Sequence, residues 1–118
     1  MASWVSSLGL SWTRLESPEG VACEFTPSAE HRGPPGYLHG GLAAALLDET
    51  MAAVSIVLDD VHTVTGTLSL RYPNPVPIDG QPLRIEAWRT SPRRVEGRLL
   101  LADGTVAVTA TGMFIRAS

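Results

Sequence analysis

From Gly40 to about Leu58 the chain runs through Ala, Leu, Met, Val and Ile with no proline, and with glycine only at its first two positions. Alanine and leucine in that density favour a helix. The apolar residues occupy almost the whole circumference, so the helix has to be surrounded by protein rather than laid on a surface. A membrane span would be the other home for such a segment. Asp48 and Glu49 stand in its middle, and a mid-bilayer carboxylate costs about 3 kcal/mol or more. The rest of the chain must therefore supply the covering.

That rest reads as strands. Trp12 to Glu16 and Val21 to Thr26 form two short ones, with Ser17-Pro18-Glu19-Gly20 between them as a turn. Pro27 to Leu38 is a loop, since Gly33-Pro34-Pro35-Gly36 continues neither helix nor strand. After Asp59-Asp60 the period becomes two: Val64, Gly66, Leu68, Leu70 and Tyr72 alternate with Thr63, Thr65, Thr67, Ser69 and Arg71. Pro73, Pro75 and Pro77 end that strand. Leu83 to Arg89, Val95 to Leu101 and Thr105 to Ile115 follow, the last two joined at Asp103-Gly104, a hairpin signal. Short turns between successive strands predict antiparallel neighbours. The expected architecture is α+β, a single domain over residues 1–118 in which an antiparallel sheet curls around one helix. Trp88, opposite Ile85 on its strand, suggests that the outer face of the sheet meets a partner. A small domain with so apolar a helix is a candidate dimer.

Composition removes several classes of function. The nine basic residues are all Arg, so lysine Schiff-base chemistry and a lysine phosphate loop are excluded. A net charge of -3 gives no footprint for nucleic acid or an anionic membrane. One cysteine, Cys23, allows neither an internal disulfide nor a cysteine metal cluster, and its place in a β-like run makes it a small core residue. His31 and His62 lack ligand spacing, so no metal is expected. The first residues show no basic segment followed by an apolar one, and the expected location is the cytoplasm.

The chemistry concentrates in Tyr37-Leu38-His39-Gly40-Gly41, where the helix begins, and in Asp48 within it. A helix start carries free backbone N–H groups and the positive end of the dipole, and glycines let a ligand approach them. Those are the parts of an oxyanion hole, although a glycine pair also simply eases the chain into a helix. Asp48, between Leu47 and Met51, is either held by a neighbouring hydroxyl or kept for function with a perturbed pKa. Glu49 points about 100° away, towards solvent or an interface. His39 and Asp48 lie about 13 Å apart along one helix, so a carbonyl held at the first is out of reach of the second. If both serve one site, they come from different subunits.

His39-Gly40-Gly41 followed by Asp48 resembles the signature of hotdog-fold acyl-CoA thioesterases, most of all the PaaI-like, phenylacetate-pathway type. The resemblance runs from about Gly33 to the C-terminus and includes Arg71-Tyr72 and Pro75-Val76-Pro77. It implies a long central helix wrapped by a curved antiparallel sheet of five to six strands. It also implies a homodimer with two interfacial sites, assembling further into a dimer of dimers, and an acyl-CoA substrate. In that setting Asp48 serves as general base or nucleophile, amides near Gly40 and Gly41 polarise the thioester carbonyl, and Thr65 helps place water. His39 supports the glycine turn. Some relatives carry Asn where this chain has Gly33. No cofactor beyond the substrate's own CoA is expected.

Two further groups are candidate substrate contacts. Gly66, inside a strand, implies close approach of a backbone or an acyl chain. Arg89, Arg93 and Arg94, with Arg98 beyond, cluster around one turn where the phosphates of CoA would find guanidinium partners, or where a solvated turn would simply be basic. Two other functions use the same parts: a non-catalytic acyl-CoA-binding module, and an enoyl-thioester hydratase or dehydratase. A buried carboxylate with Thr65 beside it argues against the first. The second needs an acid-base partner facing Asp48, for which His39 is the visible candidate.

Overall fold

A computed structural model describes residues 6–117. The helix α1 spans Gly40–Asp59, and six strands accompany it: β1 (Thr13–Glu16), β2 (Glu19–Phe25), β3 (Thr63–Arg71), β4 (Leu83–Arg89), β5 (Arg94–Leu100) and β6 (Val106–Arg116). They form one antiparallel sheet in the order β1-β2-β4-β5-β6-β3. The expected α+β architecture, one helix wrapped by the sheet, is what the chain adopts.

Both ends of α1 are closed by local chemistry. At its start the His39 side chain accepts from the Gly41 amide. At its end Asp60 takes the left-handed conformation, and the Asp60 and Val61 amides cap the Ser55 and Ile56 carbonyls. One side of the helix is sealed: Leu46, Leu47, Met51 and Val54 pack against Val21, Ile85, Leu99 and Val108, all fully buried. Sheet and helix come close because two strand positions lack side chains. A Cβ on Gly97 would sit 3.1 Å from the Met51 side chain, and one on Gly112 would sit 3.4 Å from the same side chain.

Several details depart from the sequence reading. The first turn is tighter than Ser17–Gly20, because Glu19 and Gly20 already pair with Glu16 and Leu15 as part of β2. A single 3₁₀ turn, Ala29–His31, interrupts the loop before the helix, with the Ser28 amide donating to His31. The helix is enclosed on one side only; Leu42, Ala45, Ala52 and Ile56 stay half-buried, so the all-round covering expected of it is not supplied by this chain. The strand after the helix does not neighbour the next one: β3 crosses to pair with β6 at the sheet edge. Alternation in β3 is also broken, by a register shift between Thr65 and Thr67. A one-residue bulge reverses the facing of everything beyond it. Hence Thr65 turns to the helix, and Leu68 and Leu70, expected on the opposite face from it, pack against the core as well.

On the outer face of the sheet Glu86 accepts from Arg84 Nε at 2.6 Å and from Arg98 Nε at 2.8 Å. The Arg98 guanidinium also lies 5.6 Å above the Trp88 ring, so Trp88 is covered by a cation within its own chain. Burial works to raise the Glu86 carboxyl, but the two guanidinium hydrogen bonds and their charges outweigh it and hold the group below its ordinary value of 4.5. A depressed folded pKa stabilises above the unfolded value, and the benefit is lost as pH falls through the folded one. Glu86→Gln should therefore melt below wild type at neutral pH, with the gap closing as pH drops beneath about 4.5 in thermal melts across an acid series.

Candidate active site

The loop before α1 and the loop after β3, remote in sequence, are stitched together by backbone. The Leu38 amide donates to the Val76 carbonyl at 2.9 Å, and the Ile78 amide to the Gly36 carbonyl at 2.8 Å. The Gly-Pro-Pro-Gly and Pro-Val-Pro segments thus form one wall beside the start of the helix. Between them lies an apolar cavity of about 570 Å³, bounded by Tyr37, Leu38, Gly40, Ala43, Tyr72 and Val76. That size falls within the roughly 300–1,000 Å³ of small-molecule sites.

The helix start divides its donors unequally. His39 Nδ1 accepts from the Gly41 amide at 2.9 Å, and the Leu42 and Ala43 amides both donate to the His39 carbonyl. The Gly40 amide has no partner among the described residues. Of the two glycines named as an oxyanion hole, Gly40 therefore carries the free donor and Gly41 shapes the turn. A Cβ on Gly41 would lie 3.0 Å from the His39 ring, which explains the second glycine sterically. Because Nδ1 accepts, the proton of a neutral His39 is on Nε2, at the exposed edge of the ring. Gly33 packs under His39, where an added Cβ would meet the His39 Cα at 3.1 Å. There is no room at this position for the Asn of other sequences without a shift of the loop.

Asp48 is half-exposed rather than interior. Its Oδ1 accepts from the Thr65 hydroxyl at 2.7 Å, which leaves Oδ2 open. The bulge at Gly66 makes this pair: without it Thr65 would face away. A Cβ on Gly66 would come within 3.2 Å of Ile115 and 3.3 Å of the Met113 carbonyl, so the close approach expected at this glycine is that of β6. Glu49, partly exposed, accepts from the Ser6 and Ser7 hydroxyls. Cys23 is buried beside Thr50, and burial pushes its thiol up from the ordinary value despite that hydrogen bond. It stays protonated and belongs to the core, as read from sequence.

The turn arginines part company. Arg89 donates to Asp59, and Arg93 lines the same surface hollow at the end of α1. Arg94 opens β5 and does not line that hollow, while Arg98 is engaged at Glu86 and Trp88. Sequence reading gave no role to Tyr72, whose hydroxyl donates to the Gly40 carbonyl at 2.9 Å and ties β3 to the first helical turn. Its place at the end of an alternating strand, before the prolines, and its part in the Arg71-Tyr72 resemblance were the hints.

Over 104 residues, covering 81% of this chain and 45% of the relative, the sequence is 30% identical to acyl-coenzyme A thioesterase THEM4 of Xenopus laevis. The structure matches that of the PaaI protein from the phenylacetic acid degradation operon of E. coli with a TM-score of 0.79, at 14% identity, over 95% of this chain and 82% of that one. It matches smu.793 of Streptococcus mutans, solved bound to acetyl-CoA, with a TM-score of 0.83, at 17% identity, over 100% and 96% of the two chains. The chain has the hotdog fold of these structures. No protein-family profile matches this hotdog chain. It spans less than half the length of the curated relatives it matches. Within the hotdog frame, the two ends of the candidate site are the free Gly40 amide at the start of the central helix and the Thr65-oriented carboxylate two turns along it.

Proposed function

We propose that this chain hydrolyses acyl- or aryl-CoA thioesters to the free acid and CoA. The observation that carries the reading is the Asp48–Thr65 pair, a half-exposed carboxylate with one oxygen fixed by a hydroxyl and the other open. A module that only binds acyl-CoA has no use for such a group. In the proposed reaction the Gly40 amide polarises the thioester carbonyl, and His39 Nε2–H stands ready as a second donor. Asp48 Oδ2 takes a proton from water as the oxygen adds to the carbonyl, the C–S bond breaks, and the proton passes to the CoA thiolate. Direct attack by Asp48, through an acyl-carboxylate intermediate that water then hydrolyses, uses the same groups.

The two halves stand two turns apart on one helix, so the site is completed by a second copy. β3 offers the means. It is an edge strand with one side unpaired, Val64 on it is 56% exposed and Ile115 beside it is 40% exposed. Such an edge is a template for another strand. Antiparallel pairing of β3 with itself would set the two helices side by side in opposite directions, bringing Asp48 of one protomer towards Gly40 of its partner. It would also cover the half-buried face of α1.

The test is release of free thiol from a panel of acyl- and aryl-CoA esters, with the mass of the protein in solution measured alongside. Turnover of at least one ester by a dimer or larger assembly is expected. Tight binding of acyl-CoA with no thiol released would replace this reading with the binding module, and hydration of an enoyl ester without hydrolysis would replace it with the hydratase.

A further inference from the structure

Two glycines stand in succession where α1 begins, so no side chain of their own restrains the peptide between them. The carbonyl end of that peptide is claimed from outside the helix: the Tyr72 hydroxyl donates to the Gly40 carbonyl at 2.9 Å. The carbonyl does not need this bond to be satisfied, because as part of the first helical turn it already accepts from the amide one turn on. The N–H end of the same peptide, on Gly41, donates to His39 Nδ1 at 2.9 Å. In a planar trans peptide the C=O and N–H point in opposite directions, so fixing one end aims the other. A single hydrogen-bonded chain results. It runs from the Tyr72 hydroxyl through the Gly40–Gly41 peptide to the His39 ring, whose Nε2–H lies at the exposed edge.

Tyr72 is itself held at a fixed point. Arg71, just before it, pairs with Thr109 on β6. Just beyond it, the Asn74 amide donates to the Ala107 carbonyl and the Asn74 side chain to the Val106 carbonyl. Pro73 between them restricts the backbone further. The ring reaches the helix start, where a Cβ on Gly40 would lie 3.8 Å from it. One strand thus serves both halves of the candidate site. Near the beginning of β3 Thr65 orients the carboxylate, and immediately past its end Tyr72 restrains the turn.

We infer that Tyr72 is a positioning residue of the oxyanion turn, holding the Gly40–Gly41 peptide so that His39 keeps Nδ1 as an acceptor and offers Nε2–H to the thioester carbonyl. The inference rests on the thioesterase reading. A hydrogen bond to a peptide carbonyl polarises the amide, which strengthens the Gly41 N–H as a donor to the ring. With Nδ1 engaged as acceptor, the proton of the neutral imidazole stays at Nε2. In the paired dimer proposed above, each site takes Thr65 from one protomer and Tyr72 from its partner, so β3 of both copies acts at every site.

The test is Tyr72→Phe, which removes the hydroxyl and keeps the ring. Against wild type, kcat for an acyl-CoA should fall about three- to tenfold, the scale of one hydrogen bond, with KM within about twofold and the melting temperature nearly unchanged. In a His39→Ala background the same change should cost nothing further, because the end of the chain is gone. Nitrogen NMR of the imidazole ring supplies a readout free of turnover. At about pH 8.5, where imidazoles are neutral, wild-type His39 should show an unprotonated Nδ1, and Tyr72→Phe should shift the ring towards the other tautomer. Unchanged ring shifts in Tyr72→Phe would overturn the assignment. So would a rise in KM with kcat intact, which would leave Tyr72 as a wall of the cavity, and so would equal losses with and without His39. If no thioester is turned over at all, the hydrolase reading falls, and the ring shifts alone still decide whether Tyr72 holds the turn.

Discussion

Asp48→Asn should lower thiol release by about two orders of magnitude or more, the scale of a positioned acid-base group, while leaving the melting temperature nearly unchanged. The substitution keeps shape and keeps an acceptor oxygen for the Thr65 hydroxyl, which now donates to Oδ1 at 2.7 Å. The side chain is half-exposed, so no buried charge is being released. What disappears is the open carboxylate oxygen. Thr65→Val is the companion: it removes the hydroxyl, keeps the β-branched shape, and should cost about tenfold, in line with one hydrogen bond to a charged group. Rate measurements and melts on the same preparations separate the two readings of Asp48. A purely structural hydrogen bond would show as a fall in melting temperature with turnover intact. A Thr65→Val loss as large as that of Asp48→Asn would make the hydroxyl a direct participant rather than a guide for the carboxylate.

The architecture was legible because its signals are strong and local. An uninterrupted apolar run that stops at Asp59-Asp60, and period-two segments ended by prolines or by Asp-Gly, leave little choice of element. The pairing of β3 with β6 was not legible, since nothing in a strand's own alternation says which edge it joins. The bulge at Gly66 was hidden for a related reason. It is one residue, and the alternating pattern on either side looks continuous, so Thr65 was placed opposite Leu68 when the register shift sets them on one face. The catalytic candidates His39, Gly40, Asp48 and Thr65 could be named from sequence. The division of labour between the two glycine amides could not, because it depends on the rotamer of His39.

Gly40→Pro tests the other half of the site with little disturbance to the fold. Gly40 is the first helical residue after the N-cap His39, the position where proline is best tolerated because its missing N–H has no helical partner. His39, at φ -63° and ψ 129°, already has the extended backbone required before proline. An added Cβ would come no closer than 3.8 Å to Tyr72. The change therefore deletes the one free amide and little else. It should cut kcat by about a hundred- to a thousandfold, as loss of an oxyanion donor does, whereas Gly40→Ala, which retains the N–H, should stay near wild type. Combining the two crippled chains then asks where the site lies. In a dimer of one Asp48→Asn and one Gly40→Pro protomer, an interfacial arrangement leaves one site with both groups intact and puts both defects in the other. Half of randomly assorted dimers are mixed, so co-assembly should restore about a quarter of wild-type turnover from two nearly inactive proteins. If amide and carboxylate served the same thioester from within one chain, every site in the mixture would be defective and no activity would return.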